Sequence, residues 1–178
     1  MAATFRALAE VVREPGPIAI PVPINLRKRD WSPVVGNYIA LQYFVVDPAA
    51  TADVPALAKQ LRAMHVAKIR NGEEAAMIAL FWASRLVGFR KTLRGRIGPT
   101  GRERNTAYFS NCGEPRLRSF LGRRIRELRV CPSFPASPGV GVYFTLVDGR
   151  LLVTTVFIRG NVEEADVDTF VETLRKAL

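Results

Sequence analysis

The sequence predicts an α/β chain of the α+β kind, a mixed sheet with helices packed on it, and three observations carry that expectation. β-rich runs alternate with segments whose apolar residues recur at helical spacing. Asp148-Gly149 separates two such runs, Val140–Val147 and Arg150–Ile158, and this dipeptide is the strongest short signal for an antiparallel hairpin. The helical segments at 54–64 and 167–178 carry one apolar stripe each, so they need a sheet to cover.

The elements follow in chain order. Ala3 to Val12 reads as a short helix stopped by Pro15-Gly16-Pro17. Ile18 to Leu26 is β-rich but holds Pro21 and Pro23, which cannot donate to a ladder, so it is expected at an edge or paired only in part. Asn37 to Val46 reads as a buried strand with apolar and aromatic residues on both faces. Asp53 caps the next helix, with Pro55 in its first turn and Val54, Leu57, Ala58, Leu61 and Met64 as its stripe; Asn71-Gly72 ends it. A second, very apolar helix runs from Glu73 to about Leu93, and the Gly/Pro-rich segment Gly95 to Arg104 is a loop. Thr106 to Ser110 is a short strand. Arg150–Ile158 is apolar or β-branched on both sides and is expected to be a central strand covered on both faces. Asn161 is expected to cap the last helix, with Glu164 as its capping-box partner and Arg175-Lys176 closing the helix in keeping with its dipole.

The bulk numbers narrow the classes of function. A chain of 178 residues, 48% hydrophobic and 24% charged, can bury one core and is neither a disordered tail nor a membrane protein. No run approaches the roughly 18 apolar residues of a membrane span, and Arg6, Glu10 and Arg13 interrupt the N-terminal segment where a signal peptide needs an apolar stretch. Cys112 and Cys131 have no Cys or His at ligand spacing, so no metal site is expected and both are read as reduced thiols of the cytoplasm. The formal net charge is +10, and residues 85–129, with 13 basic and three acidic side chains, carry all of it. Such a stretch suits phosphates of a cofactor, anionic lipid headgroups or nucleic acid, or is simply a solvated face. It lacks an aromatic-interleaved reading motif, which argues against nucleic acid.

Four stretches then resemble a known family. Ile20-Pro21-Val22-Pro23-Ile24-Asn25-Leu26-Arg27 is similar to the "PVNLR" strand that opens the second half of the wax ester synthase/diacylglycerol acyltransferase enzymes. Val35-Gly36-Asn37-Tyr38 resembles the "GN" that follows. Ser110-Asn111-Cys112-Gly113-Glu114-Pro115 resembles "SNVPGP", and Phe120 through Cys131-Pro132 resembles the turn and strand "GARVVELYP". The Gly-rich strand, DGRL turn, strand and helix at the end also match the family's close, which chloramphenicol acetyltransferases and peptide-synthetase condensation domains share. The order holds over nearly the whole chain.

The resemblance implies one half of a CoA-dependent, two-half acyltransferase fold, spanning 1–178 as a single domain, with residues 1–16 as the remnant of a preceding helix and linker. In the family the other half carries HHxxxDG, whose second histidine is the general base on the acceptor hydroxyl. This chain has one histidine, His65, with no histidine before it and Ile69 where the motif needs Asp. It is therefore expected to be a structural histidine, no catalytic residue is assigned, and the chain is expected to be inactive alone. Acyl-CoA is implied as a substrate, with no cofactor. Ser110 and Asn111 would line the substrate tunnel or support the thioester carbonyl, although Ser-Asn before Gly also forms simple turns. Asn25 and Arg27 would face the other half, or serve as the polar face of an edge strand. Arg90, Arg94 and Arg96 would meet CoA phosphates or an anionic membrane. Implied partners are an N-terminal acyltransferase half or a second copy, and the implied location is the cytoplasm, with peripheral membrane contact. The alternative function is a degenerate acyl- or protein-binding module that self-associates.

Arg116 to Arg129 admits two readings. Leu117, Phe120, Leu121, Ile125 and Leu128 fall at helical spacing, but Gly122 weakens a helix. A turn followed by a strand, as in the family, is the expectation.

Overall fold

The computed structural model describes residues 1–26, 39–88, 91, 105–115, 119–129 and 139–178. Its helices are α1 (Ala2–Val11), α2 (Val54–Arg70), α3 (Glu73–Val87) and α4 (Glu164–Ala177). Its strands are β1 (Ile18–Asn25), β2 (Ile39–Val46), β3 (Tyr108–Gly113), β4 (Ser119–Phe120), β5 (Arg123–Arg124), β6 (Val140–Val147) and β7 (Arg150–Phe157). The α/β class, a mixed sheet with helices on it, is as expected.

β1 and β2 form an antiparallel pair, and β3, β6 and β7 form a mixed three-stranded sheet with β3 parallel and β7 antiparallel to β6. Thr106 joins the two sheets. Its backbone N–H donates to the Ala19 carbonyl (2.8 Å), and its Oγ1 accepts from the Ala19 N–H (3.0 Å). Along a strand, alternate amides point to the same side, so the amides at 21 and 23 would follow Ala19 toward β3. Both positions are proline and offer no donor. The ladder between β1 and β3 therefore stops where it starts, while β1 pairs along its whole length with β2. The partial pairing expected from Pro21 and Pro23 has this cause.

One core fills the helix-covered face. Phe5 and Leu8 of α1, Ile18 and Ile20 of β1, Phe44 of β2, Leu57 and Leu61 of α2, Phe109, Val142 and Phe144 of the second sheet, and Phe170 and Leu174 of α4 are all buried in it. Phe109 and Phe144 stack with ring centroids 5.2 Å apart, an aromatic pairing favourable beyond its buried area. α1 packs against α4, and Arg13 donates to both carboxylate oxygens of Asp166 (2.9 and 3.2 Å) at their exposed edge.

Several local signals act as expected. Asp53 accepts from the Ala56 N–H (2.9 Å) and caps α2. Asp148 (φ 49°) and Gly149 (φ 74°) both take the left-handed conformation of a two-residue hairpin turn, closing the register at Val147 and Arg150.

Other expectations are corrected. β2 is buried on one face only; Ile39, Tyr43 and Val45 stand exposed on the other. Among the described residues β7 is the edge of its sheet, not a central strand, with Leu151 and Val153 exposed. α3 ends at Val87 rather than near Leu93, because Gly88 takes a positive φ that stops the helix. The short strand at 106 begins at Tyr108 and runs on to Gly113. The N-cap of α4 is Glu163, not Asn161: Asn161 donates its N–H to the Ile158 carbonyl in a tight turn, three residues before the helix begins at Glu164. Glu164 meets Arg159 (3.4 Å) instead of forming a capping box. Between 119 and 129 the chain forms neither a helix nor a long strand. Leu121 (φ 50°) and Gly122 (φ 75°) turn a minimal hairpin, β4–β5, and the rest is irregular.

Candidate functional site

Strand alternation divides the functional residues between the two sheet faces. Phe109 points into the core, so Tyr108, Ser110 and Cys112 share the opposite face. β3 pairs with β6 so that Ser110 lies beside Tyr143, and Tyr143 pairs with Thr154 on β7. A band of hydroxyl and thiol groups thus crosses the face opposite Phe109 and Phe144, each member half-buried except the exposed Cys112. Ser110 Oγ lies 3.7 Å from Cys112 Sγ. Cys112 is a free thiol and is exposed.

The register between β3 and β6 shifts between Asn111 and Gly113. At this bulge the Asn111 side-chain oxygen accepts from the Gly113 N–H (3.1 Å), and Gly113 takes φ 65°. The Asn111 carbonyl is thereby committed to a local turn, and its carboxamide N–H groups are what it retains for a ligand. Asn25 closes β1 opposite Ile39 and is exposed, on the side of β1 that faces away from Ile18 and Ile20.

The Tyr143 phenol is held above its ordinary pKa, chiefly by burial, with the neighbouring Tyr108 and Cys112 adding to the effect. It stays an O–H donor throughout the physiological range. The band therefore offers hydrogen-bond donors, with neither carboxylate nor imidazole in it. It can bind and polarise a carbonyl oxygen, but nothing in it abstracts a proton from an alcohol near neutral pH.

His65 lies elsewhere. On α2, its Nδ1–H donates to Oε1 of the buried Gln42 (2.8 Å), and its ring packs 6.4 Å from Phe44. Lys68 sits over the same Phe44 ring (6.0 Å) and pairs with Glu73 (2.7 Å). This is a helix-to-strand tie on the core side, as expected of a structural histidine. Tyr108 and Tyr143 carry no motif that sequence reasoning could use; alternation along β3 puts Tyr108 on the face of Ser110, and only the pairing of β3 with β6 brings Tyr143 there. Arg27, Arg90, Arg94 and Arg96, the "GN" at 36–37 and Cys131 lie outside the described residues. Among the described residues, no group of three or more His, Cys, Asp or Glu side chains could hold a metal ion, and no helix is long and apolar enough to cross a membrane.

No family model matches the chain, and no curated protein does. Solved structures do. The epimerization domain from the third module of tyrocidine synthetase B is similar over 99% of this chain and 39% of its own, with a TM-score of 0.65 and 17% identity. A condensation domain that mediates chain release from the enacyloxin polyketide synthase is similar over 99% and 34%, with a TM-score of 0.57 and 15% identity. The chain thus spans about two fifths or less of the length of these neighbours. Its fold is similar to that of one part of these epimerization and condensation domains.

Proposed function

We propose that this chain supplies the C-terminal half of an acyl-CoA-dependent O-acyltransferase of the wax ester synthase/diacylglycerol acyltransferase kind, and that a separate chain bearing HHxxxDG supplies the base. The observation that supports this reading is the donor band of Tyr108, Ser110, Cys112 and Tyr143, centred on the "SN" motif and without a base of its own. In the assembled site the partner's histidine takes the proton of the acceptor hydroxyl as its oxygen attacks the thioester carbonyl. The oxyanion accepts hydrogen bonds from the Ser110 hydroxyl and the Tyr143 phenol. The C–S bond then breaks, and the departing CoA sulfur takes the proton from the histidine, leaving the new ester. Asn25, on the same side of the sheet, faces the partner half.

Transfer from acyl-CoA to a long-chain alcohol or diacylglycerol tests the proposal. The purified chain alone is inactive, and the complex with its companion is active. Ser110→Ala lowers kcat of the complex by about 10²-fold, the scale of losing one oxyanion donor, with little change in KM. Full activity of the chain alone refutes the need for a companion, and an unaffected Ser110→Ala complex refutes the role of Ser110. A second reading, a non-catalytic acyl- or protein-binding module that self-associates, draws support from the exposed α3; a complex inactive toward every acyl donor favours it.

A further inference from the structure

α3 is built like a buried helix and placed like a surface one. From Ala75 to Val87 its sequence is AAMIALFWASRLV, with Arg85 as its one charge. A helix apolar around its circumference normally sits inside a protein. Yet none of its described side chains is buried, and Leu80, Trp82 and Leu86 are 60%, 64% and 91% exposed. Among the described residues its main contacts are with β2 and α2.

The charges on α3 identify what covers it. Glu73 and Glu74 stand at its start, no charge follows until Arg85, and Arg85 stands near its end. Glu74, Ile78, Trp82 and Arg85 fall at i, i+4, i+8 and i+11, so they share one stripe. Glu74 is half-buried, and its Oε2 is buried without a hydrogen-bond partner, so the carboxylate lacks a counter-charge within the described residues. Arg85 stacks on Trp82 (4.6 Å) and meets no carboxylate among the described residues. If two copies of this stripe are laid antiparallel, Glu74 of each faces Arg85 of the other, Ile78 faces Trp82, and the helix dipoles oppose favourably. The same surface self-complements under a two-fold axis, as an isologous dimer requires. An anionic membrane fits less well: a helix lying on it needs a polar face toward water, and α3 has none.

We infer that two copies of this chain associate through α3, antiparallel about a two-fold axis, with Glu74 and Arg85 paired across the interface. The dimer does not depend on the acyltransferase reading: it uses Glu74, Ile78, Trp82 and Arg85 of α3, none of which belongs to the donor band.

Sedimentation velocity of the full chain over a concentration series tests the inference. The wild type runs as a dimer of a 19.7 kDa chain. Glu74→Arg and Arg85→Glu each weaken it at least tenfold, and the double variant Glu74→Arg/Arg85→Glu regains most of the wild-type affinity, because it swaps the pair without breaking it. Trp82→Glu gives a monomer with unchanged helical circular dichroism. A wild type that stays monomeric, a dimer indifferent to Trp82→Glu, or a double variant no tighter than the singles overturns the inference. A monomer that floats with phosphatidylglycerol vesicles through Trp82 also overturns it, and assigns α3 to lipid.

Discussion

Thr106→Val isolates a side-chain link between the two sheets. Valine keeps the shape and volume of threonine closely enough that packing changes little, and the backbone bond from residue 106 to the Ala19 carbonyl (2.8 Å) survives. What is lost is the Oγ1 acceptor 3.0 Å from the Ala19 N–H. That amide has no substitute: it points toward β3, and the next positions on its side, Pro21 and Pro23, carry no N–H that could rebuild a ladder there. Leaving a buried donor unpaired costs about 1–3 kcal/mol. The site is only partly buried, so about 1–2 kcal/mol is expected. Urea denaturation reads this as a midpoint lowered by roughly 0.5–1 M with an unchanged slope. Thr106→Ser, which keeps the hydroxyl, should lose less than half as much. Hydrogen exchange gives a second readout, since the Ala19 amide should lose protection in the valine variant while amides in the centre of β6 keep theirs. Equal stability of the valine and wild-type proteins, with Ala19 still protected, would refute the view that this side chain joins the sheets.

Three further outcomes follow from the same reasoning. Gln42 is buried with its Nε2 unpaired, so Gln42→Met, which removes the orphaned donor and leaves the half-buried His65 to water, should be neutral or stabilising by up to about 1 kcal/mol in the same denaturation experiment; a loss above about 2 kcal/mol would show that the tie to His65 is worth more than the orphan costs. Gly149 holds φ 74° in the β6–β7 turn, so Gly149→Ala should destabilise by about 1–2 kcal/mol, read as a lower thermal midpoint, and no change would contradict the turn geometry. In the 178-residue chain, burial lowers the Met1 ammonium from 8.0 to about 6. The unfolded chain then binds more protons between those values, so stability is full above pH 8 and falls as pH drops from 8 to 6, by at most about 3 kcal/mol. N-terminal acetylation should abolish that slope, and a slope that survives it belongs to another group.

What the sequence made legible was local chemistry. Asp53 caps, Asp148-Gly149 turns and the two prolines thin the ladder because each acts through its own backbone and near neighbours. Burial was harder. Ile39, Tyr43 and Val45 on β2 are apolar on a face that the described residues leave open, and Leu151 and Val153 on β7 share the core face of Phe144 but stand exposed at its rim. Apolar composition on both sides of a strand reports that something covers it, and cannot say whether that cover belongs to the same chain. In Arg116 to Arg129 the turn expected over the helical spacing is present at Leu121 and Gly122, both at positive φ, but the strand after it, Arg123–Arg124, is only two residues long. In the site, Ser110 and Asn111 were found by motif. Tyr143 was not, because its place beside Ser110 depends on a parallel pairing between strands far apart in sequence.

The central claim is that this fold works as a half, with its base supplied by another chain. The most direct test is to isolate the tagged protein from its own cells under native conditions and identify everything bound to it by intact-mass and peptide mass spectrometry. The account predicts a companion chain bearing HHxxxDG, in stoichiometric amount, in a complex that transfers acyl groups from CoA. Recovery of the 19.7 kDa chain alone, or only with further copies of itself, would contradict the claim and leave a self-associating binding module.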